Sequence, residues 1–243
     1  MSDKAVTLVS HIEELRRRII LASVAVFVGT CVCFYFRDQI LAILCRDAGN
    51  MVFITPGEAF FASLKLSLVS GLVISSPIVL YQVWAFISTG LQQRERKLVL
   101  LYFPLSLTLF LGGALFCYFI ILPFTMRYLL GFATARLQPM ISVDRYVSFA
   151  GTLIVSTGAA FELPLVIMLL ANLGIVSPDG LRRKRKTSIF LLFILAAIIT
   201  PSPDAVSQIL VALPLIILYE VGILLAVLVN PIRKTVPKKK TSG

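Results

Sequence analysis

The sequence predicts an all-α polytopic membrane protein with six transmembrane helices, and three observations carry that prediction. Seventeen of the 23 lysines and arginines fall in four tight groups, at residues 4–18, 94–97, 182–186 and 233–240. Long apolar stretches separate those groups, in a chain that is 58% apolar with a mean hydropathy of +0.93. With 243 residues and short loops, no segment is long enough for a separate soluble domain, so a single membrane domain over 1–243 is the economical reading. Positive charge is retained on the cytoplasmic side of a membrane, so the four groups mark cytoplasmic segments. Both termini are then inside, and the chain crosses six times. Only Arg37, Arg46, Lys65, Arg127, Arg136 and Arg145 lie elsewhere.

Each span follows from the charge-free runs. A hydrocarbon core of ~30 Å takes about 20 apolar residues, and the runs 19–36, 66–93 and 98–126 meet or approach that length. After a cytoplasmic segment 1–18, the first three helices are expected at about 19–37, 64–88 and 97–123. The fourth, about 149–173, carries Glu162 in its middle. The region 187–232, interrupted only by Asp204 and Glu220, holds two helices, about 187–200 and 203–228. Their boundary is Thr200-Pro201-Ser202-Pro203-Asp204, where two prolines stop one helix and Ser202 is placed to cap the next, with Pro203 in its first turn. The fifth helix is left about 14 residues, or ~21 Å at 1.5 Å per residue, shorter than the bilayer core. The sixth, with Pro214 as an expected kink, begins below the outer surface. Such mismatch is relieved by local thinning or by a partner. The outer loops, about 38–62 and 124–147, have room for short interfacial helices, and residues 229–243 form a cytoplasmic tail. No internal repeat of the kind common in secondary transporters is visible.

Composition excludes several classes. The net charge of +11 sits at the ends of apolar runs and forms no stripe with interleaved aromatics, so it reads as topology and lipid-headgroup contact, with no nucleic acid partner. Cys31, Cys33, Cys45 and Cys117 contain no Cys-x-x-Cys pair and read as structural. Arg16-Arg17-Arg18 before an apolar run imitates a secretory leader, but Glu13 and Glu14 precede it and five more crossings follow, so the first helix is expected to be retained. No GxxxxGK[ST], HExxH or GxSxG pattern occurs, and nothing predicts catalysis, a metal or a cofactor.

The polar residues that remain carry the functional reading. In Ser10-His11-Ile12-Glu13-Glu14-Leu15-Arg16-Arg17-Arg18, Ser10 and Glu13 have capping-box spacing. Glu14 lies one position further round, with Arg17 and Arg18 at i+3 and i+4, and two roles stay open for it: a local pair worth a few tenths of a kcal/mol, or recognition of a ligand. His11 is uninformative by itself. The stretch Tyr81 to Arg96 places aromatics at helical spacing, Phe86 among them, and then Glu95 among bases. That reads either as an interfacial belt with a glutamate at the positive end of the third helix, or as half of a cation site. Two carboxylates on a strongly basic face suit a guanidinium guest, which pairs with carboxylate in bidentate fashion. Glu162 costs several kcal/mol in hydrocarbon unless paired, protonated or facing water, so it is expected to face the protein interior. Asp204 fits a first-turn helix residue, Glu220 reaches towards Arg233 or headgroups, and Thr200 and Gln208 are polar groups available to a partner helix.

Several stretches in order resemble the TatC family, the six-span core of the twin-arginine protein translocase. They are His11-Ile12-Glu13-Glu14-Leu15-Arg16-x-Arg18, Glu58-Ala59-Phe60-Phe61 with Lys65, Ser76 through Phe86, Phe161-Glu162-Leu163-Pro164, Ser177-Pro178-Asp179-x-Leu181-Arg182, and Thr200-Pro201 through Asp204-x-x-Ser207-Gln208. The resemblance covers His11 to about Pro231. It implies that Glu14 and Glu95, with Phe86 beside them and Arg16 in the same motif, hold the paired arginines of a signal peptide. It implies that Glu162 lines a concave face in the membrane, and that Thr200, Gln208 and Asp204 lie where a single-span TatA- or TatB-like helix packs. The chain departs from the family in having Leu44-Cys45-Arg46 where Pro-Leu is common, and in a link between the last two helices that is one residue longer.

The resulting expectation is a receptor and scaffold, not an enzyme, in several copies in the plasma (inner) membrane. It binds twin-arginine signal peptides at the cytoplasmic face and exports folded cargo on the proton-motive force. The rival reading is a proton-coupled small-solute transporter relaying through Glu162, Asp204 and Glu220.

Overall fold

The structure, a computed structural model, describes residues 2–46, 51–89, 93–134, 140–200 and 204–229, with side chains for 11–46, 51–89, 102–134, 140–200 and 204–228. Residues Pro201, Ser202 and Pro203 and the tail from residue 230, Arg233 included, lie outside that set, as does the side chain of Glu95.

The helices are α1 Ser2–Tyr35, α2 Arg37–Cys45, α3 Pro56–Thr89, α4 Gln93–Phe116, α5 Leu122–Leu130, α6 Val143–Ala160, α7 Leu163–Asn172, α8 Pro178–Arg183, α9 Arg185–Ile199 and α10 Ala205–Val229. A π-helical turn, Cys117–Ile121, joins α4 to α5. Five helical stretches among the described residues are long and apolar enough to cross a membrane: His11–Tyr35, Pro56–Thr89, Tyr102–Leu130, Val143–Asn172 and Ala205–Leu228. α9 is equally apolar but has 15 residues, ~22 Å at 1.5 Å per residue. The molecule is an all-α polytopic membrane protein.

Helix α1 packs along α3; α3 also packs on α6 and α4; α10 packs on α7 and α9. The α1–α3 seam is close because Gly29 and Gly71 face one another. A Cβ on Gly71 would lie 2.5 Å from the backbone nitrogen of Thr30, and one on Gly29 would lie 2.8 Å from the Gly71 carbonyl. Small residues that let backbones approach are the usual basis of helix association where lipid removes the hydrophobic drive. The rest of α1 shows Val24, Phe27, Val28 and Val32 outward, as a lipid-facing surface requires. The main core gathers Cys117, Ile121, Val147, Leu153, Ala196, Val211, Leu215 and Ile223 from the stretch between α4 and α10.

Several elements differ from the sequence expectation. α1 begins at Ser2, so Ser10 is inside a helix and cannot act as its N-cap. The fourth span starts at Val143 and breaks at Phe161-Glu162, because Pro164, in the first turn of α7, has no N–H for the carbonyl of Ala160. The last helix starts at Ala205, where the sequence predicts a start at residue 203 behind a Ser202 cap: the Ser207 N–H donates to Asp204 Oδ2 at 2.7 Å, so Asp204 is the cap. Glu220 pairs with Arg185 at 2.6 Å, which ties α10 to α9. Asp179 lies in the first turn of α8, behind Ser177, whose Oγ accepts the Gly180 N–H at 3.1 Å. Ahead of it α7 ends on Gly174 at φ 70°, a left-handed position that favours glycine.

The loop between α1 and α3 and the loop between α5 and α6 meet in a short parallel pairing, β1 Met51–Val52 with β2 Ile141–Ser142. The first loop contains the short helix α2. In the second, the preceding helix simply continues as α5 to Leu130. Glu58 clamps this end: Oε2 accepts the Ile54 N–H at 2.7 Å, and Oε1 accepts the hydroxyl of Ser142, the N-cap of α6. Lys65 pairs with Asp144 at 2.7 Å, and the Tyr118 and Tyr146 hydroxyls donate to the carbonyls of Ile43 and Leu44, both at 2.9 Å.

Candidate functional site

At the opposite end of α3 lies a second polar cluster. Residues 11, 14 and 18 follow i, i+3, i+7 spacing and share one face of α1; residues 82 and 86 are one turn apart on α3. Glu14 Oε1 lies 2.5 Å from an Arg18 amine, and the other terminal Arg18 nitrogen donates to Gln82 Oε1 at 3.0 Å. The His11 ring rests on Phe86, with centroids 4.7 Å apart. Both partners of the ion pair are half-buried, at 21% and 30% exposure, so the pair is shielded from solvent without being desolvated outright. Behind it Trp84 is buried against Tyr102 with ring centroids 5.7 Å apart, and Asn172 donates to the Tyr102 hydroxyl at 2.6 Å. These contacts give the end of α3 a rigid backing from α4 and α7.

Of the residues singled out from the sequence, Glu14 and Phe86 come to this one end. Glu95 is in the first turns of α4, Gln93–Phe116, with its side chain outside the described residues. Arg16 is turned about 200° from Glu14 at ~100° per residue, and with Glu13 and Arg17 it lines a separate shallow cleft of about 380 Å³. Gln82 and His11 are the members that the sequence left without a role; Arg18, expected at i+4 as a local partner of Glu14, is that partner. The spacing of His11, Glu14 and Arg18 marked a common face, but Gln82 is 64 residues away from Arg18 and nothing local announces that contact.

The other polar residues occupy two further places. Glu162, at the break between α6 and α7, accepts the Ser106 hydroxyl at 2.8 Å. Phe161 beside it presses on α4 where Gly113 leaves room: a Cβ there would lie 2.6 Å from the ring. At the α9–α10 junction Thr200 is buried and donates to the Ala196 carbonyl at 2.8 Å, and Gln208 reaches from α10 to the Phe193 carbonyl at 3.1 Å. Among the described residues, no group of three or more His, Cys, Asp or Glu could hold a metal ion.

Fold and site together define a multi-pass α-helical membrane protein whose polar groups are gathered at helix ends and at one helix break. The profile of the family described as "Sec-independent protein translocase protein (TatC)" matches residues 10–214. The TatC protein of Carboxydothermus hydrogenoformans is 40% identical over 235 residues, 95% of this chain and 97% of that protein. That of Aquifex aeolicus is 37% identical, covering 95% of this chain and 99% of its own length. A crystal structure described as that of the twin arginine translocase receptor TatC superposes with a TM-score of 0.78 at 37% identity, covering 90% of this chain and 99% of that one. The chain therefore belongs to the TatC family of Sec-independent protein translocase proteins. It is a translocase component, not an enzyme.

Proposed function

We propose that this chain is the receptor core of a twin-arginine translocase. It sits in the plasma membrane with both termini cytoplasmic, and takes the paired arginines of a signal peptide between Glu14 and Glu95 with Phe86 beside them. The observation that carries the reading is the Glu14–Arg18 contact at 2.5 Å: this carboxylate, on a strongly basic face, already holds a guanidinium. Guanidinium is the group best matched to a carboxylate in a half-dry site, because its donors form a planar fork. The solved relative, described as a twin arginine translocase receptor, supports the same assignment. Arg16 enters through the rim it forms with Glu13 and Arg17, away from the Glu14 face.

Single-span TatA- or TatB-like partners then assemble on the short helix α9 and on α10, where Thr200, Gln208 and Asp204 lie, and the assembly exports folded cargo on the proton-motive force. Glu162 is the polar group of the buried face on which the hydrophobic part of the guest and partner would pass. The relay that a solute transporter would need is unsupported: Glu162, Asp204 and Glu220 have separate partners in Ser106, Ser207 and Arg185.

The test is crosslinking to a twin-arginine precursor in membranes. Glu14→Ala or Glu95→Ala is expected to abolish the adduct while leaving the protein inserted; normal crosslinking in both variants would refute the binding role.

A further inference from the structure

The Glu14 carboxylate is already engaged in the structure. Its Oε1 is held by Arg18 at 2.5 Å, and Arg18 is anchored from behind by Gln82 at 3.0 Å. The third donor of that guanidinium, Nε, is buried and makes no hydrogen bond among the described residues. Among the described residues Arg18 is therefore a guanidinium lodged on the proposed receptor carboxylate with its Nε–H unpartnered.

We propose that Arg18, held by Gln82, is an internal competitor for Glu14 and sets the affinity threshold that an arriving cationic guest must pass. This rests on the signal-peptide reading given above. An arriving arginine that binds Glu14 in the two-bond, fork-on-fork manner uses both carboxylate oxygens, and so competes for Oε1 with Arg18, whose like charge repels it. The displaced side chain does not drift into the membrane interface, because its other amine remains bonded to Gln82. A lysine brings a compact, strongly hydrated point charge and a single contact direction. It replaces the Glu14–Arg18 bond with one of similar kind and gains nothing from the exchange. The resident arginine thus sets a threshold, the same for every guest, that an incoming fork passes and an ammonium does not.

An alternative role for the same contacts is support, in which Arg18 aims Glu14 at the ligand. The two roles predict opposite signs. If Arg18 competes, removing its fork raises the affinity of both leaders; if it only aims Glu14, removal lowers the affinity of every leader.

The experiment is equilibrium binding of fluorescent synthetic signal peptides, one with Arg-Arg and one with Lys-Lys, to the full chain in lipid nanodiscs. Wild type, Arg18→Gln, Arg18→Lys and Glu14→Gln are compared. Arg18→Gln is expected to strengthen the binding of both leaders by a similar factor, roughly two- to fivefold, the size set by releasing one half-exposed ion pair. Arg18→Lys keeps the charge and the helix surface pair, so it guards against a folding defect in the first variant, and it is expected to move in the same direction by less. Unchanged or weaker Lys-Lys binding in both Arg18 variants overturns the competitor, even if Glu14→Gln loses Arg-Arg binding. Undiminished Arg-Arg binding in Glu14→Gln overturns the signal-peptide reading itself.

Discussion

Glu58 shows how much of this molecule turns on single polar side chains. It sits in the first turn of α3 yet accepts from the Ile54 N–H and from the Ser142 hydroxyl, so one carboxylate fastens the loop before α3 to the start of α6. Hydrogen bonds to a charged acceptor are stronger than neutral ones, and water at the open side of the carboxylate offsets part of that gain. Glu58→Ala is therefore expected to lower the thermal midpoint in detergent modestly, with leader binding retained. An unchanged midpoint would show that β1–β2 and the tyrosine bonds hold that end unaided. The residue scale is also where the sequence was most unevenly informative. Glu14 stands out because a carboxylate among bases at a membrane entry has few uses, and Glu162 because charge in hydrocarbon is costly. The pairing of Arg18 with Glu14 was legible from its i+4 spacing, but its contact with Gln82 was not: the two are 64 residues apart, and only the α1–α3 seam brings them to 3.0 Å. Glu220 points by sequence to Arg233 or to headgroups, but among the described residues its partner is Arg185, brought near once α9 and α10 pack.

The elements follow from where glycine and proline fall. Pro164 breaks the fourth span, Asp204 starts the last helix, and the Gly29–Gly71 contact sets how closely α1 approaches α3. Gly71→Ala would drive a methyl group to 2.5 Å from the Thr30 nitrogen, backbone that cannot rotate away. Overpacking of this kind costs about 1–3 kcal/mol. A Cβ on Gly112 would meet nothing within 4 Å, so Gly112→Ala is the matched control and should not destabilise. Parallel thermal unfolding of the two variants checks this, and equal midpoints would mean that the seam yields. Gly71→Ala also moves Arg18 relative to Gln82, so it should change the affinity for both arginine- and lysine-paired leaders. The spans were legible because charge-free length is a direct consequence of bilayer thickness. The π-helical turn at Cys117–Ile121 and the β1–β2 pairing were not: the first is a one-residue slip in hydrogen bonding, and the second joins two-residue strands whose partners, Met51 and Ile141, are far apart in the chain.

For the whole molecule, the distribution of charge and the length of α9 matter most. At 15 residues α9 spans ~22 Å against ~30 Å of hydrocarbon. The mismatch is expected to make the protein prefer thin bilayers, so its thermal midpoint in nanodiscs should fall as lipid acyl chains lengthen. Inserting one helical turn of leucines into α9 should flatten that dependence. A midpoint indifferent to lipid length in the unaltered protein would rule out thinning by α9. Basic groups at one end of the bundle, and the clamp of Glu58, Lys65 and Asp144 at the other, give the molecule two chemically distinct ends. The guest's arginines belong at the first. A photoreactive side chain placed beside the paired arginines of a leader, activated in membranes with the adducts mapped by mass spectrometry, tests that placement most directly. Adducts are expected within residues 11–18 and 82–97, and they should disappear when the arginines become lysines. Adducts on α2 or the β1–β2 end, or adducts that persist with lysines, would contradict the placement.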